Sequence, residues 1–118
     1  MNLDKFKEMV DKNVVASMLD YMSEDEECGY TADEVEECKA LLNNYLDALK
    51  IMNEPSDDEI MQQVKNVVLS LNELNETVDY ALIETEQREE IWEIIQTSAI
   101  DCGLQEYDDD ITEEWREW

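Results

Sequence analysis

The sequence predicts an all-α protein, an up-down four-helix bundle with a short acidic C-terminal helix or tail. Three observations carry that expectation. Only two Gly and one Pro occur in 118 residues, too few for the turns that a β-rich chain needs. Glu, Leu, Met and Ala, all good helix formers, recur throughout. Apolar residues also fall at steps of three and four in four separate stretches, the spacing of one helix face. The length suits one domain. A hydrophobic content of 43% separates the chain from acidic disordered tails, which lack the apolar surface to offset ordering entropy. Residues 1–105 form the expected bundle domain, and 106–118 an acidic, aromatic-containing C-terminal segment.

The first helix is expected from Leu3 to Met22, with Leu3, Phe6, Val10, Val14, Met18 and Tyr21 as its apolar stripe. SEDEECGY at 23–30 reads as a loop, with four consecutive acids and then Gly29. Thr31 and Glu34 have the spacing of a capping box. They open a second helix to about Asn53, whose stripe of Val35, Cys38, Leu42, Tyr45, Leu49 and Met52 is a heptad seam. Pro55 stops it. Ser56 and Glu59 form a second box, and Ile60, Val64, Val67, Leu71, Leu74 and Val78 line the third helix. Its end is expected between Asn75 and Leu82, since Asn72 and Asn75 weaken it and no Gly or Pro marks a stop. Thr85 is read as the cap of the fourth helix, which carries Trp92, Ile95, Ala99 and Cys102 and ends at Gly103. Ile111, Trp115 and Trp118 have helical spacing in the tail.

The chain has 33 Asp and Glu against 8 Lys and Arg, a net charge of −25. Such an imbalance opposes compaction through self-repulsion. Part of its clustering has an ordinary cause, because carboxylates in the first turn of a helix are stabilised by the macrodipole. Up-down topology would bring further acids together at one end. The loop acids Glu24, Asp25, Glu26 and Glu27 would meet Asp33, Glu34 and Glu37 of the second helix and Glu86, Glu89 and Glu90 of the fourth. Residues 23–37 hold eight acids and no base. A second concentration is the tail, where Asp108, Asp109 and Asp110 precede Trp115 and Trp118. Trp beside acids suits a binding segment; the plainer alternative is that the Trp pair closes the end of the bundle.

Several chemistries lack their residues. There is no His, which removes the usual general base and the Glu-x-x-His ligands of di-iron bundles. Gly29 and Gly103 stand alone, so no phosphate-cradling loop exists. Three Cys without a CxxC pair make neither a disulfide framework nor a zinc site. Neither a catalytic or metal-binding residue nor a cofactor is expected. The one enzyme alternative rests on Glu34/Glu37 and Glu76/Asp79. Their spacing is similar to the magnesium-holding acids of all-α nucleotide pyrophosphohydrolases of the MazG type.

The expected function is binding. An acidic helical surface complements the Lys/Arg-lined cleft of a basic protein and speeds association. This suggests an immunity- or inhibitor-type protein that neutralises a basic partner, for example a nuclease toxin or another nucleic-acid enzyme. A DNA mimic and an oligomerising helical adaptor are alternatives. Direct nucleic-acid binding is disfavoured by the charge, as is an anionic membrane surface. The N-terminus has no apolar run of a leader, so a cytoplasmic monomer or homodimer is expected.

Overall fold

The computed structural model describes residues 1–118, all-helical with four helices and no strand. The first helix, α1, is continuous through three segments: Leu3–Met9, a π-helical stretch Val10–Val15, and Ala16–Glu24. It is followed by α2 (Ala32–Ile51), α3 (Asp57–Thr77) and α4 (Thr85–Cys102). No helix is long and apolar enough to cross a membrane.

The π stretch answers a spacing problem in the sequence. Phe6, Val10, Val14 and Met18 are all buried, and they recur every four residues. In an α-helix of 3.6 residues per turn, each such step rotates the stripe by about 40°. A wide turn with i→i+5 bonds takes up that excess and keeps all four side chains on the core. Tyr21, expected on the stripe, is 36% exposed, beyond the reach of this correction.

Both expected capping boxes form. The Glu34 carboxylate accepts from the Thr31 backbone N–H and hydroxyl, and Glu59 does the same at Ser56. The fourth helix starts one residue earlier than expected. Glu84, not Thr85, is its N-cap, and the Gln87 side chain accepts from the Glu84 N–H at 3.2 Å. The stop of α3 uses neither Gly nor Pro. Asp79 and Tyr80 take left-handed conformations, with φ 53° and 63°. The Asn75 carbonyl accepts from the Tyr80 N–H at 2.7 Å.

The helix pairs are joined by specific contacts. Lys7 pairs with Asp47 and Lys39 with Asp11, binding α1 to α2. The Tyr45 hydroxyl donates to the Ile95 carbonyl at 2.9 Å, joining α2 to α4. The α2 helix packs extensively on both α1 and α3. One continuous core results, in which Tyr30, Leu82, Ile83, Leu104 and Ile111 join the helices from the connecting segments and the tail. Cys38 is fully buried, which pushes its thiol up to about 12. All three thiols are free.

The tail is not helical. Residues 111–115 form a turn, in which the Thr112 carbonyl accepts from the N–H groups of Trp115 and Arg116, and side chains hold other backbone groups of the segment. The Asp110 carboxylate accepts from both the N–H and the hydroxyl of Thr112, at 2.9 and 2.6 Å. The Asn72 amide, reaching from α3, donates to the Trp115 carbonyl, and its oxygen accepts from the Glu117 N–H.

Candidate binding surfaces

Two regions each bring some of the sequence-identified acids together, and others, Glu89 among them, lie apart. At one of them, the loop after α1 meets the loop after α3. Gly29 adopts φ +94°, and a Cβ there would lie 2.9 Å from the Ala81 Cβ, so only glycine allows this approach. Asn75 pins the second loop, its side-chain oxygen accepting from the N–H groups of Leu82 and Ile83, each at 3.1 Å. The Tyr30 ring stacks on Tyr21 with centroids 6.3 Å apart, and its hydroxyl donates to the Met18 carbonyl.

Glu24 and Glu86 share a recess of about 230 Å³ with Asp20, Ser17, Tyr21 and Gln87. There the Gln87 amide donates to the Ser17 hydroxyl at 2.7 Å. Glu90 is half-buried, with one carboxylate oxygen enclosed and unpartnered. Burial, then the Glu86 charge, raise its carboxyl to about 7, against the opposing pull of the Ser17 hydroxyl. Asp25, Glu26, Glu27, Asp33 and Glu37 are exposed. Asp25 is engaged locally, accepting from the Glu27 N–H, and Glu34 is committed to its cap. Glu89 lies apart from this recess, beside Arg88, Trp92, Asp110 and Arg116.

The second region is the C-terminal segment, folded back over α3 and α4. Three side chains hold it. The Asp57 carboxylate accepts from the N–H groups of Gln105 and Glu106, each at 2.9 Å. Gln96 donates to the Asp109 carbonyl and accepts from the Ile111 N–H. Asn72 fixes the far end, as described above. Between these anchors lies a basin of about 520 Å³. Glu106, Asp108, Asp110, Glu113 and Glu114 line it, with Met61, Ile111 and Tyr107 supplying apolar surface. Asp110 also pairs with Arg116 at 2.9 Å.

Asp109 is exposed and does not line the basin. Trp115 and Trp118 are half-buried and pack against the core, with Arg116 over the Trp118 ring at 5.7 Å. Sequence reasoning passed over Glu106, Tyr107, Glu113 and Glu114 as site residues, although Tyr107 among acids was a visible cue. Met61 had no local signal, since only the fold-back of the tail makes it a floor.

Chemically, the basin offers carboxylates around an apolar patch. A Lys or Arg side chain fits that arrangement, its stem on the apolar surface and its charged head among the oxygens. No three His, Cys, Asp or Glu side chains converge in a geometry that holds a metal ion. The chain matches no known family model, and no curated protein or solved structure shows significant similarity to it.

Proposed function

We propose that this chain is an acidic binding protein that neutralises a basic protein partner, immunity- or inhibitor-type, such as a nuclease toxin or another nucleic-acid enzyme. The observation that carries this reading is the C-terminal basin. Its five acidic residues surround Met61 and Ile111, a recess suited to a basic side chain of a protein. Carboxylates can take an Arg by paired, charge-assisted hydrogen bonds. The remaining acids enlarge the negative field that steers a basic partner to the surface.

The up-down order of the helices belongs to this reading. It is supported by Asn2 bonding to Asp101, by Lys7 and Lys39 pairing with Asp47 and Asp11, and by Asp57 holding Gln105. In that order the acidic loops sit at one end, and the basin opens toward the other. Three free thiols suit a reducing compartment, in keeping with action in the cytoplasm.

Affinity capture from the native cells at low salt, followed by reconstitution with the purified partner, tests the proposal. The expected partner has a Lys/Arg-rich surface and loses activity when bound. The variant Glu106→Gln, Asp108→Asn, Glu113→Gln, Glu114→Gln should release it. A captured partner that binds this variant as tightly as the wild type contradicts the reading.

A further inference from the structure

Between α2 and α3 run two adjoining recesses, of about 400 and 160 Å³, which share Leu41 and Ser70. The small side chains of Ala40 and Ser70 open this groove, half-buried Leu41 runs along it, and the edges of the buried Tyr45, Val67 and Leu74 form its narrow apolar floor. Along α3 its lining reaches from Gln63 to Thr77, about 21 Å at 1.5 Å per residue, or roughly four helical turns. Its two ends differ in charge. Glu37 and Glu73 flank one end, while Asn44, Gln63 and Asn66 edge the other. No Lys or Arg lines either recess.

We propose that this groove seats an amphipathic helix of the basic partner, apolar side chains inward and Lys or Arg at the end beside Glu37 and Glu73. The inference rests on the reading that the partner is basic, and it adds the partner's secondary structure and orientation. Grooves of this form take helices through anchors at i, i+3 or i+4, and i+7. A second copy of this chain would instead bring another surface of net charge −25 against Glu37 and Glu73, which like-charge repulsion opposes.

Two synthetic peptides of equal charge test it on the full chain: a helical Leu/Lys peptide, and the same peptide with every Leu replaced by Gln. The Leu peptide should bind at least about tenfold more tightly, the gain that even one buried apolar anchor implies. It should shift the amide resonances of Ala40, Leu41, Ser70 and Leu74. Ala40→Phe, which fills the groove, should remove that advantage and leave Gln-peptide binding unchanged. If Ala40→Phe proves unfolded by circular dichroism, Glu73→Lys at the exposed rim should weaken the Leu peptide instead. Equal affinity of both peptides, mapped to the C-terminal basin alone, overturns the groove and leaves the basic-partner reading standing. Failure of both peptides to bind at low salt overturns both.

Discussion

Asn75 shows how much a single buried side chain contributes to the acidic end. Its oxygen receives two backbone N–H groups that the left-handed turn at Asp79 and Tyr80 would otherwise leave buried and unpaired. Asn75→Ala should therefore cost about 2–3 kcal/mol, read as a lower urea midpoint with an unchanged slope. Read along the sequence, Asn75 and Asn72 only weaken a helix. Their partners lie 7 to 45 residues away, so local periodicity carries no trace of their roles. Glu90 gives a second prediction. Its folded carboxyl is raised to about 7 from an ordinary 4.5, so the folded state holds the proton more tightly. Its contribution to stability is full below about pH 4.5 and is lost as pH rises through 7. Glu90→Gln should remove this dependence and be the more stable form at pH 8, measured by urea unfolding across that range.

At the scale of elements, what was legible followed from local rules. The capping boxes at Thr31 and Ser56 and the seams of α2 and α3 depend on residues within one or two turns of each other. The π stretch of α1 was implicit in a four-residue spacing, although a stripe alone does not distinguish a widened turn from a rotated one. The tail illustrates the opposite case. Ile111, Trp115 and Trp118 have helical spacing, yet only a single turn forms, and Asp110, Gln96 and Asn72 hold the backbone on either side of it. Asp57, which reads as a simple first-turn acid, is one of the anchors. The double variant Asp57→Ala, Asn72→Ala should free residues 106–118 while the helices persist. Limited proteolysis should then clip the C-terminal segment first, with helical circular dichroism retained; a wild-type cleavage pattern would contradict these anchors.

For the whole molecule, the charge bears on stability and, in the proposed function, on recognition. Only four ion pairs offset a net charge of −25, and exposed pairs contribute little each. Screening should therefore stabilise the free protein, raising its melting temperature between low and moderate ionic strength. The surplus itself was plain from composition. Its division into a loop-lined end and a basin over Met61 needed the fold, because it depends on Gly29 meeting Ala81 and on the tail returning to α3. The most direct measurement is the affinity for the captured partner as a function of salt, for the wild type and the basin variant Glu106→Gln, Asp108→Asn, Glu113→Gln, Glu114→Gln. The account predicts wild-type affinity falling steeply with salt, and a variant both weaker and less salt-sensitive. Wild-type affinity independent of salt, or a variant matching the wild type at every salt concentration, would contradict it.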